Sequence, residues 1–100
     1  MTALTIRLND VIDEKLNDIS EKTNLTKSAL ITYAINEHLR QNKPVHDFNV
    51  VANTSIRMTL RLSDEMNELL EGVSIKTKIA KNAIINYVIN HYLCSVWINF

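Results

Sequence analysis

Thr5-Ile6-Arg7-Leu8-Asn9-Asp10 returns 54 positions later as Thr59-Leu60-Arg61-Leu62-Ser63-Asp64, and Lys27-Ser28-Ala29-Leu30-Ile31-Thr32-Tyr33 returns as Lys81-Asn82-Ala83-Ile84-Ile85-Asn86-Tyr87. Residues 5–39 lie over residues 59–93 without a gap, with 16 of 35 positions identical. A repeat this short does not bury its own apolar face, so the two copies are expected to close on each other around one core. The 100-residue chain is then one domain made of two similar units. Each unit alone sits near the lower size limit for independent folding.

Within each copy the apolar period changes along the chain. Leu4-Thr5-Ile6-Arg7-Leu8 alternates, as a strand with one buried face does, and Met58-Thr59-Leu60-Arg61-Leu62 alternates likewise. Leu4, Ile6 and Leu8 face one side; Ala3, Thr5 and Arg7 face the other, matched by Arg57, Thr59 and Arg61 in the second copy. Strands this short need a partner, and the simplest is the duplicate, giving a two-stranded antiparallel ribbon. Asn9 and Ser63 suit helix N-caps and are followed by acids that favour the positive helix end. Ile12, Leu16 and Ile19, and likewise Met66, Leu70 and Val73, then mark an amphipathic helix of about three turns. Gly72 interrupts the second of these and should weaken it by up to about 1 kcal/mol. Thr23-Asn24 ends the first helix, since Asn tolerates the left-handed conformation, and Thr26 is the expected cap of the next. Leu30, Ile31, Ala34, Ile35, His38 and Leu39 form a broad stripe, answered by Ile84, Ile85, Val88, Ile89, Tyr92 and Leu93. The fold class is therefore mostly α with a two-stranded antiparallel ribbon: residues 1–40 a first strand-helix-helix unit, 41–55 a linker containing Pro44, and 56–100 a second unit with an apolar tail. Fifteen linker residues reach on the order of 50 Å when extended, ample to rejoin the second strand. Phe48, Val50 and Val51 are expected on the body of the protein.

Composition narrows the function. One glycine and one proline argue against a β-sandwich, and the lone Cys94 offers neither a disulfide nor a metal cluster, fitting a reducing cytoplasm. Cys94 reads as a small buried hydrophobe. No charged n-region opens the chain, so no signal peptide is expected, and no run reaches the roughly 18 apolar residues of a membrane span. No nucleophile, base and oxyanion set can be assembled and no glycine loop could cradle a nucleotide, so neither an enzyme nor a cofactor is expected. His38 lies on an apolar stripe and reads as a core histidine, and Tyr33 and Tyr87 as packing residues. Net charge is zero, which counts against nucleic acid. The charges are nevertheless segregated. Nine of eleven acids fall in 10–21 and 64–71, while Arg7, Arg57 and Arg61 lie in the strands and Lys22, Lys27, Lys76, Lys78 and Lys81 gather around one turn of each copy.

A capped strand-helix-turn-helix whose last helix opens with Thr26-Lys27-Ser28-Ala29 resembles the ribbon-helix-helix family of the Arc and methionine repressors. The resemblance covers residues 3–40 and 57–94, in a tandem form with both units on one chain, an intramolecular pseudo-dimer. It implies sequence-specific binding of double-stranded DNA by the ribbon in the major groove, and with it a transcriptional repressor of a prokaryote or virus. The base-contacting residues would be Thr5, Arg7, Arg57, Thr59 and Arg61; Thr26, Lys27 and Ser28 of one copy and Lys81 and Asn82 of the other would contact phosphates at helix starts. Lys27→Ala is then expected to weaken all sequences alike.

Three departures imply an asymmetric binding site. Ala3 occupies the place that Arg57 has in the other copy, Ala80 replaces the capping Thr26, and Lys78 occupies the place of Asn24, where it is a less comfortable fit. The family also holds antitoxins and accessory proteins of plasmid transfer, so the rival reading is a protein-binding module, antitoxin-like or inhibitory, that kept the fold and lost DNA. Two roles are open to the tail of Trp97, Ile98 and Phe100: covering Phe48 and Val51, or joining two chains side by side on DNA.

Overall fold

A computed structural model describes residues 2–41, 44 and 56–95. The elements run β1 (Thr2–Leu8), α1 (Asp10–Thr23), α2 (Lys27–Arg40), β2 (Ile56–Leu62), α3 (Asp64–Thr77) and α4 (Lys81–Ser95). The chain is thus mostly helical with one two-stranded antiparallel sheet, and strand-helix-helix occurs twice.

The strands pair with each other, each seven residues rather than the five of the alternating run. Thr5 stands opposite Thr59 at the centre, Arg7 opposite Arg57, and Ala3 opposite Arg61. Alternation then sends Ile6, Leu8, Leu60 and Leu62 inward, where all four are buried. Every residue of the two wide stripes is buried as well, so α2 and α4 pack side by side at the centre of the core. Ile12, Leu16 and Ile19 of α1 and Met66 and Leu70 of α3 join the same cluster from outside, with Val73 packed at its edge. The core therefore draws on both repeats at once.

The helix ends follow local chemistry. Asn9 Oδ1 accepts from the backbone N–H groups of Val11 and Ile12, Ser63 Oγ from Met66, and Thr26 Oγ1 from Ala29. Asn24 and Lys78 both sit in the left-handed region, at φ 63° and 61°. Lysine there costs about 1–2 kcal/mol of steric strain. It is imposed because the same two side chains shape both turns: Ser20 and Ser74 hydroxyls donate to the Leu25 and Ile79 carbonyls, and Thr23 and Thr77 to the Ile19 and Val73 carbonyls. α3 runs unbroken through Gly72, and α4 begins after Ala80 without a hydroxyl cap, the Ile84 N–H donating to the Ala80 carbonyl.

His38 is a core residue, 1% exposed, its Nε2 3.1 Å from the Pro44 carbonyl oxygen. Its ring lies edge-on to Tyr87 and Tyr92. Tyr33 meets Tyr92 edge-on but leaves half its surface in water. No described helix is long and apolar enough to cross a membrane. The expected placements of Phe48, Val50, Val51, Trp97, Ile98 and Phe100, and the burial of the Cys94 side chain, lie outside the described residues.

Candidate nucleic-acid interface

The outer face of the ribbon carries Thr5, Arg7, Arg57, Thr59 and Arg61 together, all exposed, with Ala3 completing the row. Strand alternation alone places them there, since each odd-numbered residue points away from the core. Neither strand contains an acidic residue, and among the described residues none of the three arginines makes an ion pair. Arg7 and Arg57 are direct cross-strand neighbours on this face. Directly opposed like charges destabilise a sheet, so the charges of this pair do not stabilise the free protein. A two-stranded ribbon is narrow enough for the B-DNA major groove, about 12 Å wide, and Arg and Thr are side chains suited to its base edges.

Each end of the ribbon meets the start of a helix from the other copy. At the Arg7–Arg57 end the helix is α4. Asn82 Oδ1 accepts from the Arg7 N–H at 2.8 Å. Asn86, one turn on, accepts from the Asn9 N–H at 3.2 Å and donates to the Arg7 and Asn82 carbonyls, each at 2.9 Å. α4 is thereby stitched to the strand end. Asn82, expected from the resemblance to contact phosphate, has its side-chain oxygen turned to the Arg7 backbone. The sequence alone does not mark Asn86, a polar residue beside an apolar stripe with no cue to a partner 77 residues away.

At the Arg61 end the helix is α2, with shorter side chains, Ser28 and Thr32, at the equivalent positions. They stitch nothing to β2 among the described residues; with Ser63, Met66, Tyr33 and Arg40 they line an open groove of about 570 Å³.

The two helix starts also differ in charge. Lys27 Nζ lies 2.7 Å from Asp13 Oδ1, an ion pair that is mostly shielded from water. The residue equivalent to Asp13 is Asn67, and Lys81 has no ion pair among the described residues. The helix start that lacks a hydroxyl cap thus has the unneutralised lysine, and the capped start has the neutralised one. Thr26 and Ser28 are exposed and Lys81 and Asn82 half-buried, with the free N–H groups of a helix start behind each set. Among the described residues no three His, Cys, Asp or Glu side chains stand close enough to hold a metal ion.

No known protein family, curated protein or solved structure matches this chain.

Proposed function

We propose that the chain is a tandem ribbon-helix-helix protein, its two units closed as an intramolecular pseudo-dimer, that binds double-stranded DNA sequence-specifically and acts as a transcriptional repressor. The observation that carries this reading is the ribbon's outer face: three arginines and two threonines, exposed, with no acid between them and two arginines side by side. Arg grips guanine O6 and N7 through two hydrogen bonds, and Thr meets a thymine methyl or a polar base edge. The strand pairing and a core shared by both repeats support the pseudo-dimer. Backbone N–H groups at the starts of α2 and α4 suit phosphates flanking the ribbon, fixing register while the strands read bases.

The rival, a protein-binding module that has lost DNA, draws on the zero net charge and the missing hydroxyl at Ala80. Titration with mixed-sequence duplex DNA at two salt concentrations separates the two. Affinity that falls steeply with salt, as released counterions require, supports DNA binding; no binding even at low salt overturns it. Arg61→Ala is expected to lose about 1–3 kcal/mol of discrimination at one base pair.

A further inference from the structure

Resting on the DNA-binding reading, we infer that this chain grips its site in a polar manner: the ribbon end carrying Arg7, Arg57 and Lys81 anchors the duplex, and Asp13 holds Lys27 back from an equal grip at the other end.

The argument starts from register. Pairing about Thr5 and Thr59 gathers Arg7 and Arg57 at one end and leaves Arg61 facing Ala3 at the other. The hydrogen bond from Arg7 to Asn82 fixes the start of α4, and so the residue before it, Lys81, at the doubly basic end. Ser28 and Ser63, lining one groove, place the start of α2 at the singly basic end. Among the described residues Arg7, Arg57, Arg61 and Lys81 make no ion pair, and of these four three lie at one end and Arg61 alone at the other.

Lys27 does not restore the balance. Its ammonium is bound to Asp13, whose second oxygen takes a longer contact from Asn17 Nδ2 at 3.4 Å. A phosphate at this helix start meets a pair of zero net charge. Drawing Lys27 off toward the phosphate leaves the Asp13 carboxylate beside a second anion, which opposes the gain. Position 13 against position 67, Asp against Asn, is therefore what sets the strength of each helix start. The first-turn aspartates Asp10 and Asp64 occupy equivalent positions in the two copies, so the residue difference lies at 13 and 67. Two consequences follow for the DNA. The preferred site is not a palindrome, and its guanines are denser where Arg7 and Arg57 lie. The phosphate grip is stronger at that same end.

The full chain and four single variants, Lys81→Ala, Lys27→Ala, Asp13→Asn and Asn67→Asp, are titrated with one mixed-sequence duplex across a salt series. Lys81→Ala should lower the slope of log affinity against log salt by about 0.9, the loss of one phosphate contact. Lys27→Ala should lower it less. Asp13→Asn, which gives the first copy the residue of the second, should raise the slope by up to about 0.9 and tighten binding. Asn67→Asp should weaken it. Thermal melting of each variant confirms that it is folded. Selection of bound sequences from random duplexes should return a non-palindromic site. Salt-dependent binding with equal effects of Lys27→Ala and Lys81→Ala, no gain from Asp13→Asn, or a palindromic selected site overturns the polar grip and leaves DNA binding standing. Absence of binding by the unaltered chain overturns both.

Discussion

Asn86 illustrates how much a single amide can hold. It is 2% exposed, and both ends of its side chain are used: the oxygen accepts from the Asn9 N–H, the nitrogen donates to the Arg7 and Asn82 carbonyls. Asn9 is itself buried, so removing the acceptor strands a backbone N–H away from water. Asn86→Ala should therefore cost about 1–3 kcal/mol in urea denaturation. A change of a few tenths would show that water replaces the amide freely. Tyr92 makes a second, pH-dependent case. Burial raises its pKa above 10.0, and the charges of Glu37 and Tyr33 push the same way. The folded protein thus prefers the protonated phenol more than the unfolded chain does. That contribution is intact below about pH 10 and is lost as pH climbs through the raised folded value. Stability measured from pH 8 to 11 should fall at the alkaline end, and Tyr92→Phe should flatten the fall. An unchanged alkaline slope in Tyr92→Phe would assign it to other groups.

At the scale of elements, Gly72 is the weakest point of α3. Its φ is not positive, and a Cβ built there meets nothing within 4 Å, so glycine answers no steric need. Gly72→Ala should stabilise the protein by about 0.5–1 kcal/mol, read as a higher urea midpoint at unchanged slope. Destabilisation would mean that a Cβ at position 72 strains the helix despite the open space around it. Elements like α3 were legible in the sequence because each face repeats: the stripes of α2 and α4 are buried to the last residue, and Asn9, Ser63 and Thr26 cap as their chemistry directs. The five ribbon residues were legible for the same reason, since period-2 alternation sorts faces before any partner is known. What alternation cannot carry is the pairing between distant side chains. Asn82 turning to the Arg7 backbone, and Lys27 turning to Asp13, depend on how helices cross, and no local pattern encodes that. Lys78 failed in the opposite direction. Residue preference argued against a left-handed lysine, but the Ser74 and Thr77 hydroxyl bonds outweigh it.

At the scale of the whole molecule, the duplication decides what can fold alone. Ile6 and Leu8 from one copy and Leu60 and Leu62 from the other form the inner face of a single sheet, and α2 packs on α4 across the same boundary. Cutting the chain after the first unit exposes both of those surfaces at once. The strand loses the partner to which its outer hydrogen-bonding groups are paired, and a lone short strand has no stability in water. A fragment of residues 1–42 still holds everything needed to recreate the arrangement from two copies, because Thr5 at the centre of β1 would meet another Thr5 as it now meets Thr59. The fragment is therefore expected to be unfolded when dilute and helical when concentrated, its circular dichroism rising with concentration as sedimentation reports a dimer. Two copies of the first unit would also place Arg7 opposite Ala3 at both ends, removing the side-by-side arginines, so the fragment dimer should bind duplex DNA with a shallower salt dependence than the full chain. A fragment that is monomeric and helical at micromolar concentration would show that each unit owns a core of its own, and the closure of one copy on the other would then have to be explained by something other than buried apolar surface.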